Sequence, residues 1–266
     1  MQKTVSHSGQ PIRYESTGTG LPVMLVHGFT EDLTIWDPIV NAMPGKYRWL
    51  IPDLPGSGKS PYNKNLTGIP DFADTLRVIQ QEEKIGKMVV IGHSMGGYIS
   101  LAFAEKFPEA LMGLGLFHST AYADTPEKKI TRKKSIQFIR QHGSAPYVQQ
   151  SLPGLFSEHF KNEHPEIIRE QVNRYANCNP DSLVQYLESM AKREDKTTVL
   201  INSAVPVLFI LGEEDKAVPL KSGMEQCHLA RISYIHILAH TAHMGMLENT
   251  NLCNSSVDRF LDQIPV

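Results

Sequence analysis

Short apolar runs alternate along the chain with longer stretches whose apolar residues recur at helical spacing. The apolar runs are rich in Val, Ile, Leu and Met, and several carry no polar residue, which is typical of strands buried on both faces of a sheet. Eight strands are predicted in all, at residues 4–7, 12–16, 21–26, 47–51, 88–91, 111–117, 206–211 and 232–238.

The stretches between these strands predict helices. They lie at residues 34–43, 71–84, 96–106 and 244–261, the last of them interrupted near Asn249. Strands that alternate with helices favour a mostly parallel, twisted sheet with helices on both of its faces. The pattern therefore predicts an α/β protein.

The alternation stops after the sixth predicted strand. From residue 118 to about 199 the pattern indicates only helices, which begin near Thr125, Tyr147, Pro165 and Pro180. We interpret residues 119–199 as a helical cap or lid, and residues 1–118 and 200–266 as the core domain.

A basic run lies at the start of this insertion. It consists of Lys128, Lys129, Arg132, Lys133 and Lys134. A solvated helix face is the interpretation we favour, and a contact with an acidic substrate is the alternative.

Composition narrows the class of protein. The 266 residues carry a formal net charge of -2, with 41% hydrophobic and 20% charged residues, which indicates a globular domain and no disorder. This balance gives no electrostatic reason to expect nucleic acid or an anionic membrane as a partner, so a small molecule is expected. The first residues lack the apolar segment of a signal peptide, and no apolar run is long enough to span a membrane, so we expect a cytoplasmic protein.

The predicted strand at residues 88–91 runs directly into a serine between glycines. In Gly92-His93-Ser94-Met95-Gly96 the small residues two positions either side of Ser94 permit a tight turn from strand to helix. Such a turn holds the serine hydroxyl clear of the backbone. It also places the amide of Met95 at a helix N-terminus, where an oxyanion is stabilised.

Two polar loops follow the last two predicted strands. The first carries three adjacent acids, Glu213, Glu214 and Asp215, and the second carries His240 and His243. Because parallel strands end at the same edge of a sheet, both loops are expected near Ser94. A serine, a carboxylate and a histidine thus follow one another in the order that such a turn predicts.

With these motifs the chain resembles the α/β-hydrolase superfamily over nearly its whole length. The motifs that carry the resemblance, in chain order, are His27-Gly28-Phe29, the segment 53–60, Gly92-His93-Ser94-Met95-Gly96-Gly97, the segment 212–219 and the segment 243–248. The resemblance implies an α/β-hydrolase fold with an eight-stranded, mostly parallel sheet and a helical lid after the sixth strand.

The resemblance also implies roles for single residues. Ser94 is the nucleophile and His243, rather than His240, is the base. Asp215 is the triad acid, with Glu213 and Glu214 as alternatives. The backbone amides of Phe29 and Met95 form the oxyanion hole. One position departs from the family, since Ala242 stands where a glycine usually precedes the histidine.

Four further residues near these motifs are candidates for the pocket. We interpret His27 and His93 as supporting residues that hydrogen-bond the backbone, and His118 and Ser119 as lining of the acyl pocket, with ordinary loop residues as the alternative for the last two. No metal or organic cofactor is implied, and nothing indicates the oligomeric state. We expect a carboxylesterase-like serine hydrolase that cleaves a small carboxylic ester or related acyl compound through an acyl-enzyme. The alternatives are a C–C bond hydrolase, a lactonase, a cofactor-free perhydrolase, or a ligand receptor with slow turnover.

Overall fold

The structure is a computed structural model that describes residues 1–265. It contains one sheet of eight strands, as the pattern predicts. The strands are β1 (Gln2–His7), β2 (Gln10–Thr17), β3 (Pro22–Val26), β4 (Arg48–Pro52), β5 (Met88–His93), β6 (Leu111–Phe117), β7 (Val207–Gly212) and β8 (Ser233–Leu238).

Their spatial order is β1-β2-β4-β3-β5-β6-β7-β8. β2 pairs antiparallel with both β1 and β4, and the other neighbours pair in parallel. The chain order reverses between β3 and β5, which is where ligands bind in sheets of this kind. β5 runs on directly to Ser94, so this serine lies at the carboxyl edge of the sheet.

Helices α1 to α12 connect and cover the strands. They are α1 (Asp37–Ala42), α2 (Ile69–Glu82), α3 (Met95–Lys106), α4 (Pro126–His142), α5 (Ser144–Ser151), α6 (Glu158–Glu163), α7 (Pro165–Tyr175), α8 (Pro180–Lys192), α9 (Thr197–Ile201), α10 (Leu220–Cys227), α11 (Gly245–Glu248) and α12 (Thr250–Leu261). None of the helices within residues 1–265 is long and apolar enough to cross a bilayer.

The predicted helices of the core domain differ from the structure at their ends, and α10 was not predicted. The predicted helix at 34–43 is a 3₁₀ turn, Leu33–Trp36, followed by the short helix α1. The predicted interruption near Asn249 is present, because α11 ends at Glu248 and α12 begins at Thr250.

Buried side chains form a core on each face of the sheet. α2 and α3 pack on one face, where Phe72 and Phe103 are fully buried. α1 and α12 pack on the other face, where Trp36 and Phe260 are fully buried. Both faces of the central strands are therefore covered, which accounts for their continuous apolar sequences.

The segment between β6 and β7 contains six helices, α4 to α9, and no strand. α4 begins where the sequence predicts, because Pro126 stands at its first position and the Thr125 side chain accepts a hydrogen bond from the amide of Lys128. α6 and α9 were not predicted, and residue 199, the predicted end of the insertion, lies inside α9.

Candidate active site

Ser94 occupies a strained turn between β5 and α3. Its φ of 49° and ψ of −114° lie in a region that residues with a side chain rarely adopt. The surrounding bonds fix this conformation: the Ser94 amide donates to the carbonyl of Phe117 at 3.0 Å, and the Ser119 hydroxyl donates to the Ser94 carbonyl at 2.7 Å. Ser94 is partly exposed although its immediate neighbours are buried.

The two glycines beside Ser94 are required by close backbone approach. A Cβ atom at Gly96 would lie 2.2 Å from the carbonyl oxygen of Val26, and one at Gly92 would lie 2.2 Å from the carbonyl of Gly96. Neither neighbour is a flexible side chain that could move aside. The small residues predicted from sequence therefore have a steric reason in the structure.

Asp215 and His243 form a buried pair in the loops after β7 and β8. Nδ1 of His243 donates to Oδ2 of Asp215 at 2.8 Å. The other carboxylate oxygen, Oδ1, accepts hydrogen bonds from the amides of Ala217 and Val218, each at 2.8 Å. The carboxylate is thereby held in one orientation toward the imidazole.

These contacts shift the pKa values of Asp215 and His243 in opposite directions. Burial alone would raise the pKa of Asp215, but the charge of His243 and hydrogen bonds from His118 and His243 outweigh it and hold that pKa well below its usual range. Burial alone would lower the pKa of His243, but the negative charge of Asp215 and its hydrogen bond outweigh this and raise the pKa above 6.5.

A second histidine, His118, shares the same carboxylate oxygen. Its Nδ1 lies 3.2 Å from Oδ2 of Asp215, and its fully buried Nε2 has no hydrogen-bond partner among residues 1–265. Burial lowers the pKa of His118 to about 4, and the hydrogen bond with Asp215 offsets only part of that effect. His118 is therefore a neutral N–H donor to the carboxylate at neutral pH.

A third buried histidine, His93, connects His243 with the loop after β3. Its Nε2 donates to the His243 carbonyl at 3.0 Å, and its Nδ1 lies 2.9 Å from a carboxylate oxygen of Glu31. Glu31 also accepts a hydrogen bond from the Gly28 amide at 2.6 Å. Sequence reasoning missed Glu31, and its only signal was an acid placed soon after the His27-Gly28-Phe29 motif.

His27 supports the backbone beside this loop. Its Nε2 accepts a hydrogen bond from the amide of Leu54 at 3.0 Å, so Nδ1 carries the proton and donates to the Gly28 carbonyl at 2.8 Å. The ring therefore joins two loops at the carboxyl edge of the sheet.

Two backbone N–H groups near Ser94 are free to bind an anion. Among residues 1–265, neither the amide of Phe29 nor that of Met95 has a hydrogen-bond acceptor. Met95 is also the first residue of α3, where the helix dipole favours negative charge.

A cavity of about 350 Å³ opens at this edge of the sheet and has both Ser94 and His243 in its wall. Phe29, Tyr98, Leu155, Met190 and Val218 form the apolar part of that wall. The polar part is formed by Glu31, Lys128, Thr131, Arg132 and Lys216.

The four sequence candidates for the pocket lie behind this wall. His27, His93, His118 and Ser119 are fully buried and hydrogen-bonded to backbone or carboxylate groups, and none of them lines the cavity. The basic run of α4 is divided. Lys129, Lys133 and Lys134 are exposed, as a solvated face requires, whereas Lys128 and Arg132 turn toward the cavity.

The helical insertion is bound to the His243 loop. The amide of His243 donates to the Leu155 carbonyl at 2.9 Å, and Glu248 accepts from the amides of Ser157, Ala242 and Met244. Ala242 is not among the residues with positive φ, so its side chain adds no backbone strain to this loop.

A metal would have to compete with these bonds. Ligand atoms of His118, Asp215 and His243 all lie within 4.8 Å of one another. Both imidazole Nδ1 atoms, however, face Oδ2 of Asp215 at hydrogen-bond distance. The cluster thus has the geometry of a hydrogen-bonded network.

Comparisons with known proteins place this fold among the hydrolases. Residues 22–119 match the protein family described as the alpha/beta hydrolase fold. This match, together with similar hydrolases along nearly the whole chain, supports the α/β-hydrolase superfamily that the sequence motifs indicated.

Similar proteins include hydrolases with different substrates. A 2-hydroxy-6-oxononadienedioate/2-hydroxy-6-oxononatrienedioate hydrolase from Escherichia coli strain K12 is 26% identical, over 97% of this chain and 93% of its own length. A thermophilic esterase from Thermogutta terrifontis, solved with malate bound, is 28% identical with a TM-score of 0.94 over 100% of both chains. The enol-lactonase from Burkholderia xenovorans LB400 shares the fold, with 21% identity and a TM-score of 0.90 over 98% of this chain and 100% of its own.

Proposed function

We propose that this protein is a serine hydrolase that cleaves a small carboxylic ester through an acyl-enzyme. The observation that carries the proposal is a partly exposed Ser94 in a strained turn, in one cavity with His243, whose Nδ1 is bound to the buried Asp215 at 2.8 Å. Serine, histidine and aspartate in this arrangement are the groups that acyl transfer requires.

Each residue of the triad has a distinct role. Because Nδ1 of His243 donates to Asp215, its Nε2 carries the lone pair that accepts the proton of Ser94. The serine oxygen attacks the carbonyl carbon, and the imidazolium then protonates the departing alcohol. Water attacks the acyl-enzyme by the same route, with His243 again acting as base. Asp215 stabilises the imidazolium in both steps.

The amides of Phe29 and Met95 act as the oxyanion hole. Both N–H groups lack an acceptor among residues 1–265, so they are free to bind the oxygen of the tetrahedral intermediate. Donors of this kind contribute about 10² to 10³ each in turnover. Glu31 positions the loop that carries Phe29 by accepting the Gly28 amide.

Residues 119–199 act as a lid in this proposal. Leu155 and Met190 from this segment contribute to the cavity wall, together with Lys128 and Arg132. A lid of this kind excludes water from the acyl-enzyme and shapes the acyl pocket.

A time course of p-nitrophenyl acetate and butyrate hydrolysis tests the proposal. We expect sustained turnover by the parent protein and a loss of about 10⁴-fold or more in Ser94→Ala, with the circular dichroism spectrum unchanged. Appreciable turnover by Ser94→Ala would refute the triad. A single equivalent of p-nitrophenol that is released and then stalls would favour a receptor with slow turnover.

A C–C bond hydrolase on the same triad is the second candidate, supported by the similarity to the Escherichia coli hydrolase along nearly the whole chain. A 2-hydroxy-6-oxo dienoate substrate distinguishes it, because cleavage removes a conjugated chromophore. A higher kcat/KM for such a compound than for the esters would favour C–C hydrolysis.

A further inference from the structure

Three cationic side chains line the cavity that contains Ser94. Lys128 and Arg132 lie four residues apart on α4 and face the cavity from the helical insertion, and Lys216 faces it from the loop after β7. We call Lys128, Arg132 and Lys216 the cationic wall. Glu31 is the single acidic residue among the described residues that line the cavity.

The carboxylate of Glu31 already has hydrogen-bond partners. Its carboxylate pairs with Nδ1 of His93 at 2.9 Å and accepts the Gly28 amide at 2.6 Å. The other acid near the cavity, Asp215, is bound by His118 and His243. Neither carboxylate therefore pairs directly with Lys128, Arg132 or Lys216.

Arg132 shares its carboxylate partner with a second guanidinium group. The buried carboxylate of Asp124 accepts from both Nε and Nη2 of Arg132, and it also accepts from Nη1 of Arg193 at 2.7 Å. Arg193 stacks on Tyr98 at 3.9 Å from the ring centre, and Tyr98 lines the cavity. One carboxylate thus serves two guanidinium groups, which leaves a net positive charge at this end of the cavity.

The two lysines have no carboxylate partner. The Lys128 ammonium donates to the neutral carbonyl of Ala217 at 3.0 Å. Within residues 1–265 neither Lys128 nor Lys216 has a carboxylate oxygen within 4.0 Å. Glu158 is paired with Lys161 at 2.5 Å, and its interaction with Lys216 is electrostatic, without a direct contact.

The bond to Ala217 fixes where the Lys128 charge lies. The amide of Ala217 donates to Oδ1 of Asp215, while its carbonyl accepts from Lys128. Lys128 is therefore held beside the loop of the triad acid, at the edge of the cavity that contains His243. A half-buried ammonium bound only to a neutral carbonyl is stabilised when a carboxylate approaches it.

We propose that this cavity selects substrates that carry a carboxylate remote from the scissile bond, such as half-esters of short dicarboxylic acids. Lys128 and Lys216 bind the carboxylate, and the apolar side chains Leu155, Met190 and Val218 contact the chain between the charge and the ester. The cavity volume of about 350 Å³ suits a small molecule of this kind. The inference rests on the proposed ester hydrolysis for its reaction but not for its binding site.

Matched esters test the preference. Monomethyl glutarate is compared in a pH-stat with methyl 5-amino-5-oxopentanoate, in which a neutral amide replaces the carboxylate. The measured quantity is the ratio of their kcat/KM values. We expect this ratio to exceed 10 in the parent protein and to fall about 10- to 100-fold in the Lys128→Met/Lys216→Met variant, because hydrogen bonds between charged groups are lost. Added salt lowers the parent ratio in the same direction.

Lys129→Met is the control, because Lys129 is the exposed neighbour of Lys128 on α4. It removes one positive charge from the same helix, and we expect it to keep the parent ratio. A ratio that is unaffected by the double variant, or that falls equally in Lys129→Met, would overturn the inference. If the double variant does not fold, Lys216→Met alone provides the test, since this side chain is exposed.

A second pair of compounds, 4-acetoxybutanoate and its amide, places the carboxylate on the alcohol side of the ester. A high ratio for this pair assigns the cationic wall to the leaving group, and a high ratio for the glutarate pair assigns it to the acyl group. Either result supports the carboxylate site. A ratio near 1 for both pairs contradicts it.

Binding separates the site from the reaction. Isothermal titration with glutarate is performed on Ser94→Ala and on Ser94→Ala with both lysine substitutions. We expect the Kd to rise at least about tenfold when the lysines are removed. Glutarate binding that depends on the lysines, without hydrolysis of any ester, would refute the proposed function and keep this inference. Hydrolysis that depends on Ser94, without any effect of the lysines on glutarate binding or on the kcat/KM ratio, would refute this inference and keep the proposed function.

Discussion

The neutral state of His118 leads to a prediction about stability at acidic pH. The imidazole is fully buried, its Nδ1 contacts Asp215, and its Nε2 has no partner within the described chain. Gly245 packs closely against Nε2, since a Cβ atom at that position would lie only 2.3 Å from it. A proton on Nε2 would therefore be buried without an acceptor.

The size of this effect on stability follows from the difference between the pKa of His118 in the folded protein and its pKa in the unfolded chain. Burial lowers the pKa of His118 from 6.5 to about 4. Between these two values the unfolded chain binds a proton that the folded protein does not, so stability falls as the pH falls. From pH 7 to pH 5 this single group lowers the free energy of unfolding by about 2 kcal/mol. His243 acts with the opposite sign, because its folded pKa is raised.

His118→Gln isolates this contribution, because glutamine keeps an N–H donor for Asp215 and does not titrate. Urea unfolding is followed at pH 7, 6 and 5 by fluorescence of the buried Trp36 and Trp49. We expect the decline in unfolding free energy between pH 7 and pH 5 to be about 2 kcal/mol smaller in the variant than in the parent.

The comparison depends on how the free energy of unfolding changes with pH, and not on the absolute stability of the variant. His228→Gln is the matched control, since His228 is exposed and water surrounds it in the folded state. It is expected to keep the parent slope. A His118→Gln variant with the parent slope would show that His118 is protonated in the folded protein at these pH values, and the reasoning would fail.

The remaining predictions concern catalysis. Asp215→Asn is expected to lower kcat by about 10⁴-fold, because the amide favours the wrong His243 tautomer. Glu214→Gln changes an exposed side chain and is expected to alter kcat little. If steady-state kinetics gave the larger loss for Glu214→Gln, the assignment of Asp215 as the acid would be contradicted. The acid limb of kcat/KM against pH is expected to have its midpoint above 6.5, because Asp215 raises the pKa of the base His243 and only the neutral imidazole accepts a proton. A midpoint below 6.5 in the measured profile would contradict this.

The sheet could be predicted because its central strands have a strong sequence pattern. β5 and β7 are buried over their whole length, so their residues are nearly all apolar, and the turns that end them contain glycine or acidic residues. The edge of the sheet then follows from connectivity alone, since parallel strands end together. For this reason Ser94, Asp215 and His243 could be placed near one another before any coordinates were known.

For the helical insertion, the sequence predicts that the segment is helical but does not predict all of its helices. α6 is six residues long and α9 five, too short to show a clear helical period. The partners of the buried polar residues behind the site could not be predicted, for a different reason. His118 and Glu31 belong to loops after different strands, and their partners Asp215 and His93 are distant in sequence. Nothing local in the sequence distinguishes such a buried polar residue from one in an ordinary loop.

The side chains of the proposed carboxylate site have the weakest sequence signal of all. Lys128 lies among basic residues of α4 that face water, and only the packing of the insertion turns Lys128 and Arg132 toward the cavity while Lys129 stays exposed. A helical period indicates which residues share a face, but it does not say whether that face meets solvent or a cavity. The bond between Lys128 and Ala217 resolves this question, because it joins α4 to the loop of Asp215. In the proposed function, therefore, the reaction depends on residues at the carboxyl edge of the sheet, and the choice of substrate depends on how the insertion packs against that edge.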